Sequence, residues 1–353
     1  MTIHIDGSLG EGGGQVLRTS LALSALTGQP MQIDNIRARR RNPGLAAQHL
    51  AGVKALARVC GAEVKGASIH SSRVDFTPST PAQAGQYVFD ISTLAGQGSA
   101  GAVTLLLQTL LWPLLFAEGE SHLTLRGGTH VAWSPPVDYV RDVLLPTLAP
   151  MGVDVTCELT AWGFYPVGGG ELQVTIRPVA EPLRPLILEE RGALERVSGV
   201  GVAAELPAHI AQRISSRATN VLKQAQLPAS ITAERVRSPG PGAGIFLTAE
   251  YAASRAGFSA LGKQGKPSDA VADEACEALL THHMDGAPVD PHLADQILVP
   301  LALAAGKSVF RTSQITQHLL TNADVIRAFI DAEIVIDGGA GGPGTVTVVG
   351  SGR

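Results

Sequence analysis

Glycines gather in clusters at 10–14, 168–170, 240–244 and 338–344, each beside a segment that reads as a strand or a helix. The chain holds 40 Gly and 22 Pro in 353 residues, against an ordinary glycine share of about 7%. Glycine reaches backbone conformations closed to other residues. The clusters therefore mark turns built for unusual backbone geometry. Their recurrence hints at a duplicated unit, although no residue-level repeat accompanies it.

Between the clusters, helical and extended patterns alternate, which predicts an α/β (α+β) architecture. Thr2–Asp6 reads as a strand that runs into the turn Gly7-Ser8-Leu9-Gly10-Glu11-Gly12-Gly13-Gly14 and then a helix over 15–26. Asn42 and Pro43 read as a helix start, followed by an apolar stripe of Ala46, Leu50, Val53, Ala57 and Cys60. Val153-Asp154-Val155 and Leu172–Ile176 alternate as half-buried strands. Helices are predicted over 136–148, 291–305 and 313–330. Two prolines between Glu181 and Pro185 shift the composition, and an inserted unit is expected to open there and close near 286–291.

At about 150 residues per domain the length suggests two domains, or one with an insertion. The 45% apolar content fits a packed core, and the formal net charge of −4 argues against coating nucleic acid by bulk charge. Any nucleic-acid contact must be local. Cys60, Cys157 and Cys276 are widely spaced and form no metal or redox pair, which points to a reducing compartment. The N-terminus lacks a signal-peptide pattern. Val103–Ala117, interrupted by Gln108 and Pro113, is too short for the roughly 20 residues of a membrane span. A cytoplasmic protein with no membrane association and no obligate protein partner is expected.

Four segments carry polar groups that chemistry could use. The first glycine turn, at a helix N-terminus, can form an anion nest. It lacks the Gly-Lys-Ser/Thr of a Walker motif. A carboxylate beside bound phosphate is repulsive unless a divalent cation intervenes, so Glu11 reads as a metal ligand or as a solvated turn residue. Arg37-Ala38-Arg39-Arg40-Arg41 places four arginines in five positions, a phosphate clamp or a solvated charged face. His318 lies at the edge of the stripe Ile315, Leu319, Ile326 and Ile330, where partial burial favours a neutral, nucleophilic imidazole. A histidine there can equally be structural. Asp295 and Gln296 interrupt an apolar stretch and call for partners, from a nucleotide or from the core.

Several separated motifs then coincide: Asp6-Gly7 through Glu11-Gly12-Gly13-Gly14-Gln15 to Arg18; Pro43-Gly44 with Gln48-His49-Leu50; Gly127-Gly128-Thr129; Gly163-Phe164-Tyr165-Pro166; Leu293-Ala294-Asp295-Gln296; and His318-Leu319-Leu320-Thr321-Asn322. In this order, over essentially the whole chain, they resemble the RNA 3'-terminal phosphate cyclase family. The resemblance implies three repeated units, each a four-stranded sheet with two helices, plus a smaller inserted α/β domain. It places the large domain at 1–185 and 286–353 and the insert at 186–285. It also implies that ATP and a divalent metal (Mg or Mn) are used to turn an RNA 3'-phosphate end into a 2',3'-cyclic phosphate.

By the same resemblance His318 is the histidine that becomes adenylylated, and Gln108, Asp295 and Gln296 contact the nucleotide. Leu293 and Ala294 line its site, with His292 and Pro136 against the base. Arg18, Arg40 and Gln48 meet phosphate or the RNA end, and Glu11 holds the metal. Two departures stand out: His292 replaces an aromatic Tyr common before Leu-Ala-Asp-Gln, and His130-Val131-Ala132-Trp133 replaces a more polar stretch. A non-catalytic cyclase-like ribosome-assembly factor and an enolpyruvyl-type transferase remain as alternative expectations.

Overall fold

The computed structural model describes residues 1–96 and 98–353. Its first unit runs β1 (Ile3–Asp6), α1 (Gly14–Thr27), β2 (Met31–Asp34), α2 (Ala47–Cys60), β3 (Glu63–Lys65) and β4 (Val74–Thr77). The sheet order is β1-β2-β4-β3, with β1 and β2 parallel. Gly28 and Gly61 end the two helices in left-handed conformations, as glycine does at a C-cap.

The second unit repeats the plan. It runs β5 (Gln86–Asp90), a short α3 (Ile91–Ala95), α4 (Val103–Leu115) and β6 (Ser121–Gly127). A continuous helical stretch follows: α5 (Val137–Tyr139), one π-helical turn (Val140–Leu144) and α6 (Leu145–Leu148). Then come β7 (Asp154–Ala161) and β8 (Gly170–Arg177). Its order, β5-β6-β8-β7, matches the first unit, and β5 and β6 are again parallel.

After β9 (Ile187–Leu188) the chain leaves this pattern for β10 (Leu194–Ala204), α7 (Ala208–Gln224), β11 (Ala229–Val236), β12 (Gly242–Tyr251), β13 (Arg255–Leu261) and α8 (Ser268–Asp285). Their sheet runs β11-β10-β12-β13, a different order. The chain then returns through α9 (Pro291–Gln296), α10 (Leu298–Leu303), β14 (Ala305–Thr312), α11 (Gln317–Phe329), β15 (Glu333–Asp337) and β16 (Gly344–Ser351). Here β9 pairs parallel with β14, and the order β9-β14-β16-β15 is that of the first two units. The mixed α/β architecture is therefore three like sheets and one unlike, and the unlike one lies between the first and second strands of the third repeat.

The three like sheets and their helices share one hydrophobic core, whereas β10–β13, α7 and α8 enclose their own, built around Val197, Ile214, Leu247, Leu279 and neighbours. α1 packs against both α4 and α11 at the centre of the large body. α4 is buried nearly all round, which explains why its sequence is apolar on every face apart from a few polar positions such as Gln108. No helix among the described residues is long and apolar enough to cross a membrane.

Three element boundaries depart from the sequence reading. α2 starts at Ala47 instead of at Asn42-Pro43, because Arg37 Nη1 donates to the carbonyls of Asn42 (2.9 Å) and Gly44 (2.8 Å) and holds the segment as a loop. α11 begins at Gln317, because Ile315 exchanges backbone hydrogen bonds with Gly341 and Gly342 and cannot join a helix. The helix expected over 291–305 is two short helices that meet at Ile297.

Candidate active site

The first glycine turn needs its glycines for two different reasons. Gly10 and Gly12 adopt φ of 56° and 58°, the left-handed region. Gly14 is needed for space, because a Cβ there would lie 2.1 Å from His49 Nε2. The turn is thereby pressed against α2 and α11 and carries Glu11 to the start of α11.

Thr316 caps α11 by accepting from the Leu319 amide at 3.1 Å, which fixes His318 in the first turn. There His318 Nε2 lies 3.2 Å from Glu11 Oε2, and Arg40 Nη2 lies 3.2 Å from the same oxygen. Burial lowers the His318 pKa, Glu11 opposes that, and the Arg18 and Arg40 charges add to it. The positive end of the α11 dipole also disfavours the imidazolium. These effects together favour the neutral ring, although its side chain stays 41% exposed.

On α1, Gln15, Arg18, Thr19 and Ala22 share one face and line a solvent-open cleft together with Gln108, Trp112, Leu144, Asp295, Gln296 and Asn322. Gln15 also lines the smaller hollow of Glu11 and His318, so the two spaces adjoin. Polar side chains around the cleft are tied together. Gln15 Nε2 donates to Asp295 Oδ2 (2.5 Å), Thr19 Oγ1 to Asn322 Oδ1 (2.7 Å), and Gln108 Nε2 to Gln296 Oε1 (2.7 Å). Arg18 differs. Among the described residues its guanidinium has no hydrogen-bond or ion-pair partner, and burial lowers its pKa only to about 10, so it stays charged. The charge lies close enough to Asp295 to act on its pKa as well. A half-buried cation without a hydrogen-bonded partner in its cleft calls for an anion. Close by, burial and the neighbouring arginines push His49 down to about 3, and its Nδ1 accepts from the Ala46 amide. It too is neutral.

Burial raises the Asp295 carboxyl to about 7 against the opposing pull of Arg18. Below about pH 4 that carboxyl is protonated in folded and unfolded chains alike. Between there and pH 7 the unfolded chain ionises first, so this group costs stability as pH rises across the window. Asp295→Asn is therefore expected to raise stability at pH 8 by on the order of 2 kcal/mol, discounted for the solvent that reaches the cleft. The gain should vanish near pH 4 in thermal melts. A gain that grows toward acid would contradict this assignment.

The structure brings His318, Glu11 and Arg40 together, and likewise Arg18, Asp295, Gln296 and Gln108. It leaves others apart. Leu293 and Ala294 are 1% and 0% exposed, packed in the core behind α9, and do not line the cleft. His292 is exposed on the outer side of α9, and Pro136 precedes α5 away from the cleft lining. Gln48 accepts from the Ala102 amide at 3.3 Å, next to the site instead of in it. The four arginines do not form one clamp: Arg37 braces its loop, Arg39 donates to the Gly10 carbonyl, and Arg40 reaches Glu11. The sequence reading missed Gln15, Thr19, Trp112 and Leu144. Polar residues at 15, 18 and 19 on one face of an otherwise apolar helix were the available signal for the first two; Trp112 and Leu144 come from separate segments and left none.

A family model described as RNA 3'-terminal phosphate cyclase matches residues 9–336. The chain belongs to the RNA 3'-terminal phosphate cyclase family. It is 52% identical over 335 residues to the RNA 3'-terminal phosphate cyclase of Trichormus variabilis, a match that covers 95% of this chain and 96% of that one. The cyclase of Methylococcus capsulatus is 50% identical over 349 residues, covering 99% and 97% of the two chains. That of Pyrococcus furiosus is 43% identical over 347 residues, covering 98% of each. The cyclase family match thus includes every element that builds the two adjoining spaces.

Proposed function

We propose that this chain converts an RNA 3'-terminal phosphate into a 2',3'-cyclic phosphodiester with ATP, through a covalent AMP on His318. The observation that carries the reading is the His318 imidazole in a hollow that shares Gln15 with the cleft of Arg18, a cation with no hydrogen-bond or ion-pair partner among the described residues. A phosphate monoester at neutral pH is a dianion with no good leaving group and must first be activated.

In the first step a ring nitrogen of His318 attacks the α-phosphorus of ATP, the N–P bond forms, and the P–O bond to pyrophosphate breaks. The cleft holds the nucleotide so that attack is in line, and positioning supplies much of the rate. Arg18 faces phosphate, while Asp295, Gln296 and Gln108 offer hydrogen bonds, with Trp112 and Leu144 as apolar walls for the base. In the second step an oxygen of the RNA 3'-phosphate attacks the histidine-bound phosphorus and the N–P bond breaks. In the third the adjacent 2'-hydroxyl attacks the activated 3'-phosphorus, loses its proton and expels AMP. A tethered nucleophile makes that closure fast, and the 2'-hydroxyl requirement selects RNA over DNA. Arg40 and Gln48, on the α2 side, are assigned to the RNA end.

Among the described residues no group of three or more His, Cys, Asp or Glu could cage a metal. Glu11 is a single carboxylate, and it suits an ion carried mainly by substrate phosphates, as magnesium commonly is. Mg or Mn would be held there by Glu11 and the triphosphate, where it would neutralise phosphate charge. We assign the separately cored unit within 186–285 as the inserted domain, and 1–185 with 286–353 as the catalytic body.

The test is ATP labelled at the α- or the γ-phosphate. Only the α-label should enter an acid-labile, alkali-stable protein adduct, and retention of γ-label would overturn the reading. Adenylylation should also rise with pH through a midpoint below the ordinary histidine value of about 6.5, since burial lowers the His318 pKa. A midpoint above that value would contradict the neutral nucleophile. The non-catalytic alternative predicts no adduct at any pH.

A further inference from the structure

Exposed aromatic side chains gather on two loops next to the site, and nothing in the chemistry above uses them. Trp133 is fully exposed, and it holds a left-handed backbone conformation, φ 65°, that a bulky residue adopts only at a cost in free energy. Tyr165 is 74% and Val167 50% exposed. A β-bridge between His130 and Phe164 joins the two loops, and both of those residues point inward. Beneath them the His130 ring stacks on Trp162 at 4.4 Å and on Phe164 at 5.5 Å. The His130 nitrogens are tied to Thr129 Oγ1 (2.8 Å) and Asp138 Oδ2 (2.7 Å). Ser134 Oγ closes the Trp133 turn on the Val131 carbonyl. The outward aromatics thus stand on a rigid base.

These loops continue outward from the catalytic groups. His49 abuts Gly14, and Gln48 accepts from the Ala102 amide. Ala102 bridges Gly128, and a Cβ on Gly168 would lie 2.9 Å from Ala100 Cα. On the far side Gly169 packs against Pro239, and Gly240 against Val167. Arg237, two residues upstream of Pro239, is exposed and has no ion pair among the described residues. Flat aromatic faces flanked by an unpaired arginine and leading toward phosphate-binding groups are the composition of a single-strand nucleic-acid surface. In a chain of net charge −4, such a surface must be local.

We propose that Trp133 and Tyr165, with Arg237, form a stacking platform for the bases just upstream of the RNA 3' end. The proposal rests on RNA ends being the substrate. Stacking tolerates any base, so the platform would add affinity without sequence preference.

The test is equilibrium binding of a ten-nucleotide RNA 3'-phosphate and of a dinucleotide 3'-phosphate to the full chain without ATP, followed by tryptophan fluorescence and, for the variants, by competition with a labelled RNA. For the ten-mer, Trp133→Ala is expected to weaken binding about tenfold, and Trp133→Ala with Tyr165→Ala further, while Trp133→Phe restores most of it. The dinucleotide should lose no more than about twofold. Equal losses for both lengths, or an unchanged ten-mer affinity, would overturn the platform. So would a Trp133→Ala variant that binds RNA normally but changes oligomeric state, since the surface would then be a protein contact. The cyclase reading fails separately, if the wild-type chain binds the ten-mer yet leaves its 3'-phosphate open with ATP present.

Discussion

If His318 carries the AMP as proposed, His318→Ala is expected to lose the α-labelled protein adduct entirely and to slow cyclisation by about a thousandfold or more, because the proposed covalent intermediate then has no nucleophile. The fold should be unaffected. His318 is partly exposed on the first turn of α11, and the cap is the Thr316 hydroxyl. Matching circular dichroism and melting curves would separate lost chemistry from lost structure. Glu11→Gln removes the charge that raises the His318 pKa, so an NMR titration of the His318 ring should move to lower pH. A variant at 318 that still gives labelled adduct would place the nucleophile elsewhere. His49 is not a substitute, since it is 6% exposed beneath the glycine turn.

The second large effect is one of stability and position. Asp290 is fully buried and accepts from four donors: the Tyr139 hydroxyl (2.9 Å), the Gly257 amide (3.2 Å) and the amides of His292 (2.9 Å) and Leu293 (3.0 Å). It caps α9, which carries Asp295 and Gln296, and ties that helix to β13 of the separately cored unit and to α5. Asp290→Ala leaves a buried hydroxyl and several amides without partners and is expected to cost about 3–4 kcal/mol. Denaturant unfolding measures that loss. ATP binding should weaken as well, because α9 no longer holds its two polar residues against α1. Tyr139→Phe removes one donor and should cost about 1 kcal/mol. Equal losses for the two variants would show that Asp290 does not organise the junction.

Much of the fold class was legible from residues alone. The alternation of patterns announced mixed α/β structure, and the glycines at 10, 12 and 14 announced a turn that other residues cannot make. Threefold repetition was not legible. It is carried by strand order, and cores of this kind accept any apolar residues of suitable volume, so like topologies need not keep like sequences. The family motifs disclosed it where self-comparison could not. Helix starts failed where a distant partner intervened, as when Gly341 and Gly342 claimed Ile315 for a bridge.

The sequence determined which turns are sharp, which helix faces are apolar, and which polar residues sit where apolar ones would pack better. Tertiary structure decided what those polar residues meet. Glu11 and His318 are 307 positions apart and come within 3.2 Å only because α1 is wedged between α4 and α11. Leu293 and Ala294 became core and their neighbours Asp295 and Gln296 became cleft for the same reason: a helix face is fixed by periodicity, but the surface it faces is chosen by packing.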